Sequence, residues 1–202
     1  FFNAQDGIRD FCLSRGLGDV YKRQMRIISG TQKGRRIHPP KNLPVRPTTD
    51  RAKESLFNIL MHQYAFEGIA VLDLFAGTGS ISYEFASRGA QQIVAVDKNT
   101  QCVHFIVKTA DDLALPIRAV RAPVLSFLEK ITTTYGFIFA DPPYAFTKDE
   151  YRVLVETIFS KNALQNNGLL IVEHAEQMDP SSLSCFTESR SYGGCVFSFF
   201  EG

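Results

Sequence analysis

Three stretches of this sequence place an acid at or near the end of an apolar run. They are VLDLFAGTGS (71–80), IVAVD (93–97) and FIFADPPY (137–144), and the acids are Asp73, Asp97 and Asp141. Short apolar runs bounded by turn residues predict buried strands. Ligands of open α/β sheets bind outside the carboxyl ends of the strands. The three carboxylates therefore predict one ligand site along one edge of a sheet.

The loop that follows Asp73 contains two glycines, Gly77 and Gly79, and no basic residue. Glycine allows a tight turn and lets a ligand approach the backbone closely. The spacing is not the G-x-G-x-x-G of dinucleotide binders, because Ser82 stands at the last position, and it is not a P-loop. A carboxylate before such a loop favours a nucleoside-type ligand that carries ammonium and hydroxyl groups. A purely structural turn is the alternative.

The second acid, Asp97, lies 20 residues after Gly77. An acid at about that spacing can accept hydrogen bonds from the hydroxyls of a ribose. Its alternative role is to cap the helix that we predict over residues 99–112. The two roles can coexist, and the nearby glycine loop favours ribose binding.

The third acid, Asp141, precedes two prolines and a tyrosine. Proline fixes φ and lacks an N–H group, so Pro142 and Pro143 predict a stiff turn whose carbonyls can accept hydrogen bonds. An acid beside such a carbonyl would hold an amino group, and Tyr144 would offer a flat face on which a base can stack. The alternative is a proline-stiffened loop with an ordinary surface tyrosine.

Strands and helices alternate along the chain from residue 70 onward. We predict strands at 70–75, 93–97, 117–122, 137–141 and 168–175, helices at 81–89, 99–112, 124–130 and 148–162, and a closing hairpin of 185–192 and 195–202 about Gly193-Gly194. Near-continuously apolar strands joined by helices require a mostly parallel sheet covered on both faces. The predicted fold class is therefore α/β, with a mostly parallel seven-stranded sheet and a C-terminal antiparallel hairpin.

The chain divides into three segments. Residues 1–24 differ from the rest in pattern, and we expect a non-native or disordered extension there. Residues 25–66 predict a small N-terminal arm, and residues 67–202 the sheet domain. Within the arm we predict a β-hairpin about Thr31–Gly34, an extended proline-rich linker over 39–47, and a helix from Thr48, Thr49 or Asp50 to about Tyr64.

Charge is distributed unevenly between the arm and the body. Residues 25–53 carry a net charge of +7, whereas residues 54–202 carry a net charge of −7. A basic arm on a mildly acidic body is typical of proteins that bind a polyanion. A solvated basic tail is the alternative.

Bulk composition limits the class of protein and its compartment. The chain is 45% hydrophobic and 21% charged, as globular domains are. No apolar run approaches the roughly 20 residues of a membrane span, and the first residues lack the order of a signal peptide. The four cysteines have no metal-binding spacing, which predicts free thiols in a reducing compartment. We expect a cytoplasmic monomer with no metal and no membrane contact.

Taken in series, VLDLFAGTGS, IVAVD and FADPPY resemble the class I S-adenosylmethionine (SAM)-dependent methyltransferases. In that class, [DN]-PP-[YF] marks the members that methylate exocyclic amines of bases. From Met25 to Gly202 the chain resembles the RsmD family more specifically, through these motifs together with RPTTDR (46–51), LLIVEH (169–174) and SYGGCVFSFFE (191–201). The resemblance implies a Rossmann-like fold and methyl transfer from SAM to N2 of a guanine. The implied partner is 16S ribosomal RNA or the small ribosomal subunit.

The resemblance also implies roles for individual residues. Those that would bind SAM are Asp73, Phe75, Gly77, Gly79, Asp97 on the ribose and Lys98 beside the adenine. Those that would hold the target amine and stack on its base are Asp141, the Pro142 carbonyl and Tyr144. Those of the arm that would close over the site or contact RNA are Arg35, Arg36, Arg46, Thr48 and Arg51.

Two other functions are compatible with these motifs. A DNA adenine-N6 methyltransferase uses the same grip on an amine, but such enzymes usually carry a separate target-recognition domain, for which there is no room after residue 145. A non-catalytic RNA-binding module with a decayed SAM site is the second alternative. The intact glycines and the DPPY stretch argue against it, and calorimetric titration with SAM separates the two cases.

The sequence departs from the resembled family at Pro123. Family members often place an acid there, near the adenine amino group, whereas this chain reads Arg121-Ala122-Pro123. A proline side chain accepts no hydrogen bond, so we expect SAM to bind more weakly than it would beside an acid. Pro123→Asp should therefore lower the dissociation constant of SAM in calorimetry. A dissociation constant that hardly improves would contradict this prediction.

Overall fold

The computed structural model describes residues 25–40, 43, 45, 48–192 and 195–202. The predictions for residues 1–24, for most of the second half of the linker and for the turn at Gly193-Gly194 lie outside these residues. No helix in the described part of the chain is both long and apolar enough to cross a membrane.

The N-terminal arm contains the predicted hairpin and helix. Strand β1 (Met25–Arg26) pairs antiparallel with β2 (Arg36–Ile37), and Met25 lies opposite Ile37. Helix α1 (Asp50–Gln63) begins after Thr49, whose side-chain hydroxyl accepts a hydrogen bond from the Ala52 N–H at 3.2 Å. Threonine is a preferred N-cap residue because its oxygen satisfies a backbone donor that the helix leaves unpaired.

The remaining elements alternate as the sequence predicts. They are β3 (Ala70–Leu74), α2 (Ser80–Ser87), β4 (Gln92–Asp97), α3 (Thr100–Asp112), β5 (Ile117–Arg121), α4 (Val124–Glu129), β6 (Tyr135–Ala140), α5 (Lys148–Ser160), β7 (Leu164–His174), β8 (Phe186–Tyr192) and β9 (Cys195–Glu201). Only β7 differs clearly from its predicted bounds, because it begins at Leu164 rather than Gly168. The polar residues that follow Leu164 lack the apolar pattern that predicts a strand. Leu164 nevertheless pairs with Tyr135 of β6, and the register between β6 and β7 shifts after that pair.

The seven strands from β3 onward form one mixed sheet in the order β5-β4-β3-β6-β7-β9-β8. Strand β3 pairs in parallel with both β4 and β6, whereas β9 pairs antiparallel with β7 and β8. The mostly parallel seven-stranded sheet and its closing antiparallel hairpin are therefore confirmed. The sheet also places the first and fourth predicted strands, β3 and β6, side by side.

Each face of the sheet carries its own hydrophobic core. On one face, Val71, Phe139 and Ile171 pack with Leu56 and Leu60 of α1. The opposite face packs against α4 and α5 through Leu72, Ile138, Leu170, Val124 and Leu154. Alternate residues of a strand point to opposite faces, which explains why the strands are apolar along their whole length. The helix of the arm is therefore part of the main core.

A buried carboxylate, Glu84 of α2, links the arm to the sheet domain. Its Oε1 accepts a hydrogen bond from the Ile28 N–H at 2.7 Å and lies 3.5 Å from Lys53 Nζ, and its Oε2 is hydrogen-bonded to Arg88. Lys53 Nζ also donates to the Arg26 carbonyl at 2.8 Å. Although Lys53 contributes to the charge of the basic arm, it is 1% exposed, so it is unavailable to a polyanion.

Removing the charge of Glu84 should destabilise the whole protein. We expect Glu84→Gln to lower the free energy of unfolding by about 3–5 kcal/mol, because it leaves Arg88 buried without its ion-pair partner and removes one of the two carboxylates beside Lys53. Urea denaturation measures the change. The matched control is Asp149→Asn, which removes the exposed ion pair with Arg152 and should change stability little. Equal effects of the two substitutions would contradict the role of Glu84.

Candidate functional site

A cavity of about 740 Å³ opens at the carboxyl edge of the sheet. The loops after β3, β4 and β6 line it, together with residues of the arm, β7 and β9. Among the lining residues are nine of the predicted site residues: Thr48, Asp73, Phe75, Gly77, Asp97, Lys98, Asp141, Pro142 and Tyr144. The fold thus brings the three acids into one site, as their positions at strand ends predict.

Other predicted site residues do not line this cavity. Gly79 lies beneath the loop, and Arg35 and Arg51 are exposed on the arm. Arg36 lines a second cavity, of about 550 Å³, between the hairpin and α3. Arg46 lies outside the described residues. The exposed arginines remain available to contact a substrate larger than the cavity.

The two glycines of the loop after β3 have different structural roles. Both have positive φ, +54° at Gly77 and +77° at Gly79. A Cβ on Gly79 would lie 2.9 Å from side-chain atoms of Ile106 and Tyr83, whereas the nearest atom to a Cβ on Gly77 is 3.7 Å away in Val45. Gly79 therefore packs the loop against α2 and α3, and Gly77 faces the cavity.

Asp97 holds the glycine loop against the end of β4. Its Oδ2 accepts a hydrogen bond from the Gly77 N–H at 2.9 Å, and its Oδ1 accepts one from the Asn99 N–H at 2.7 Å. Helix α3 is capped by Asn99, whose side chain accepts from the Gln101 and Cys102 N–H groups. The alternative role of Asp97 as the helix cap is therefore wrong. Each of its oxygens keeps a lone pair for hydroxyl donors on a ligand.

Asp73 is buried at the floor of the cavity. Its Oδ2 accepts hydrogen bonds from the N–H and the hydroxyl of Ser82, at 3.1 and 2.6 Å. Burial raises its pKa to about 7, and the nearby charges of Asp141 and Asp97 add to the shift. A ligand that carries a positive charge or several donors would favour the ionised carboxylate.

Asp141 stands at the end of β6, beside the end of β3. Its N–H donates to the Leu74 carbonyl at 3.3 Å, and burial raises the pKa of its carboxyl group to about 7. The Pro143 carbonyl accepts a hydrogen bond from the Phe146 N–H at 2.8 Å. Because that bond closes a turn, the Pro142 carbonyl is the better candidate to accept from a ligand. Tyr144 is 82% exposed at the mouth of the cavity.

The cavity residues that the sequence did not predict include two that can ionise, Glu173 at the end of β7 and Cys195 at the start of β9. Burial and the charge of Asp141 raise the pKa of Glu173 to about 8, and the neighbouring Cys195 and Thr48 side chains oppose part of this shift. Burial also raises the pKa of the Cys195 thiol to about 12, so it stays protonated. The one available signal for Glu173 was an acid near the end of an apolar strand, the same signal that identified Asp141.

The chain matches the family model described as "Conserved hypothetical protein 95" over residues 25–201. It is 31% identical over 177 residues to the Bacillus subtilis (strain 168) protein named "Putative rRNA methyltransferase YlbH", which covers 84% of this chain and 94% of the relative. It is 34% identical over 151 residues to "Ribosomal RNA small subunit methyltransferase D" of Escherichia coli (strain K12). That match covers 74% of this chain and 71% of the relative.

The fold is shared with a solved structure of similar length. The Escherichia coli protein titled "Putative methyltransferase yhhF" superposes with a TM-score of 0.77 at 25% sequence identity. The match covers 88% of this chain and 97% of the other. The arm, the mixed sheet and the closing hairpin therefore form a common architecture.

Alanine substitution should separate the two constraints on Gly79, its positive φ and its packing. Gly68 has a similar φ of +75°, but a Cβ there would meet nothing within 4 Å. We expect Gly68→Ala to lower the free energy of unfolding by about 1–2 kcal/mol through strain alone. Gly79→Ala should cost a further amount of about 1–3 kcal/mol through overpacking. Equal costs in urea denaturation would show that the contacts of Gly79 are unimportant.

Proposed function

This chain belongs to the RsmD family, and we propose that it transfers a methyl group from SAM to the N2 amine of a guanine in 16S ribosomal RNA of the small subunit. The named relatives support ribosomal RNA as the substrate class. The site chemistry supports an exocyclic amine as the methyl acceptor.

One observation carries the proposal. The glycine loop and Asp97 follow β3 and β4, whereas Asp141, Pro142 and Tyr144 follow β6 on the other side of β3, and all of them except Gly79 line a single cavity. The first group suits a nucleoside-like methyl donor, and the second suits a base with an amino group. A shared cavity is what direct transfer between two bound molecules requires, because the reacting atoms must approach to about 3–3.5 Å.

The residues present fit SAM. The loop at 76–80 has no basic side chain to meet a phosphate, and the cavity wall carries the buried carboxylates of Asp73 and Asp97. Asp97 can accept from ribose hydroxyls, and Asp73 complements the positive part of the ligand. SAM, when bound, supplies a methyl group that its sulfonium charge already activates.

The protein's own task is to orient the amine. The lone pair of N2 is delocalised into the guanine ring, so the amine is a weak nucleophile. Hydrogen bonds from the amine to the Asp141 carboxylate and the Pro142 carbonyl favour a more pyramidal nitrogen with its lone pair directed at the methyl group. Positive charge develops on N2 as the new N–C bond forms and the methyl–sulfur bond breaks with its electron pair left on sulfur, and Asp141 stabilises that charge.

Asp141 is also suited to accept the proton that N2 releases. Burial raises its pKa to about 7, and a group with a pKa near the working pH is an efficient proton acceptor. Water is the alternative acceptor.

Since the base must enter the cavity edge-on, it must be unstacked or already in a loop. The exposed ring of Tyr144 at the mouth of the cavity would then stack on the base.

The arm is placed to hold the rest of the RNA. Arg35, Arg36 and Arg51 are exposed, and Thr48 of the same arm lines the cavity. Contacts from these arginines to phosphates would make binding weaken as the salt concentration rises.

Removing the carboxylate of Asp141 should stop transfer without preventing SAM binding. We expect Asp141→Ala to lower kcat by at least about 100-fold, the cost of losing one group that stabilises transition-state charge. Labelled SAM, undermodified ribosomal RNA and isolated small subunits provide the assay, and mapping of the labelled base identifies its product. The control, Asp111→Ala, replaces an exposed acid on α3 and should leave the rate unchanged. Retained transfer by Asp141→Ala would refute the role of Asp141, and label on DNA adenine alone would refute the proposed substrate.

A further inference from the structure

A second buried carboxylate faces the half of the cavity that would receive the base. Glu173 is 8% exposed and lines the cavity. The Thr48 and Cys195 side chains lie beside its carboxyl group, but its Oε2 has no hydrogen-bond partner among the described residues. Glu84, the other deeply buried glutamate, bonds through both of its oxygens. A buried carboxylate oxygen without a hydrogen-bond donor lowers the stability of the folded protein. Its presence here points to a ligand that supplies the missing donor.

The register of the sheet places Glu173 next to Asp141. Ala140 of β6 pairs with Val172 of β7, so the next residues along the two strands are Asp141 and Glu173. Neighbouring strands lie about 4.8 Å apart, so two side chains at their ends are close enough to converge on adjacent donors at one edge of a base. Two acceptors thus stand side by side at this end of the cavity.

The bases with an exocyclic amine differ in the group that flanks it. In guanine, the N1–H donor lies next to the N2 amine. In adenine and cytosine, the ring nitrogen that lies beside the amine on the Watson–Crick edge has a lone pair and no hydrogen. Two adjacent acceptors therefore complement guanine, and the N1–H donor favours the ionised form of Glu173 against its raised pKa. The ionised carboxylate would face a lone pair in the other two bases.

We propose that Glu173 recognises guanine by accepting a hydrogen bond from its N1–H while Asp141 and the Pro142 carbonyl hold the N2 amine. This inference rests on the proposed function and adds the residue that selects the base. Glu173 contacts the base without taking part in bond formation. Thr48 and Cys195, which line the same part of the cavity, complete the wall around it.

A base analogue tests the contact directly. The target guanine is first mapped, and small subunits are then reconstituted with RNA that carries 2-aminopurine at that position. This base keeps the 2-amino group, has a lone pair in place of the N1–H and lacks O6, so the Glu173 variant described next is needed to assign the effect to N1. At pH 9, above the raised pKa of Glu173, wild-type protein should have a kcat/KM at least about 100-fold lower on the analogue, because a charge-assisted hydrogen bond is lost and a buried acceptor is left unpaired.

The variant Glu173→Gln should reduce this preference to less than about 10-fold, because an amide can donate to the lone pair as well as accept from N1–H. The control is Glu176→Gln, an exposed acid three residues further along, which should keep the wild-type ratio. SAM binding by calorimetry reports whether each variant is folded.

Either of two results would overturn the role of Glu173 while leaving the proposed function intact. One is equal methylation of guanine and 2-aminopurine by the wild type, which needs no variant. The other is an unchanged preference in folded Glu173→Gln. Failure of the wild type to methylate any guanine in ribosomal RNA or small subunits would instead refute the proposed function, and this inference with it.

Discussion

The parallel pairing of β3 with β6 is the interaction on which the candidate site depends. Leu74 lies opposite Ala140 in that pairing and opposite Val96 in the pairing with β4, while Ala140 lies opposite Val172 of β7. The next residues along these four strands are Asp97, Phe75, Asp141 and Glu173, and all four line one cavity. A shift of one residue in any register would turn the corresponding side chain to the other face of the sheet. The site is thus a single row across the end of the sheet.

The acids of the cavity oppose the stability of the empty protein. Burial raises the pKa of Asp73, Asp141 and Glu173, and the charge of Asp141 adds to the shifts of the other two. Glu84 shows the contrasting arrangement, since it is more deeply buried but lies beside two cations and a backbone donor. Unsatisfied polar groups of this kind are expected where a protein is shaped for a ligand rather than for stability.

In the arm, the position of each basic residue decides whether its charge is available to a ligand. Its sequence is strongly basic, yet Lys53 is buried against Glu84 and Asp50, and Arg26 lies 3.8 Å from Asp50. Lys53 joins the arm to the body through Glu84, and the Arg26–Asp50 pair lies within the arm, whereas Arg35, Arg36 and Arg51 extend into solvent. The packing of α1 into the main core keeps the arm next to the cavity, so the exposed arginines can act on a substrate whose base enters there.

The sequence by itself determined the order of the elements, the parallel sheet and the three acids, because apolar runs, glycines and prolines act through local backbone preferences. It also indicated the family, through the order of its motifs. Only the tertiary structure decided that Asn99 rather than Asp97 caps α3, that the Pro143 carbonyl is occupied within its turn, and that Lys53 is buried. It also brought Glu173 into the site, because β7 follows β6 in the sheet although Glu173 lies 32 residues beyond Asp141 in the chain. Strand register and the hydrogen-bond partners of each side chain decide which acceptors face a base. Both depend on contacts between residues that are far apart in the sequence.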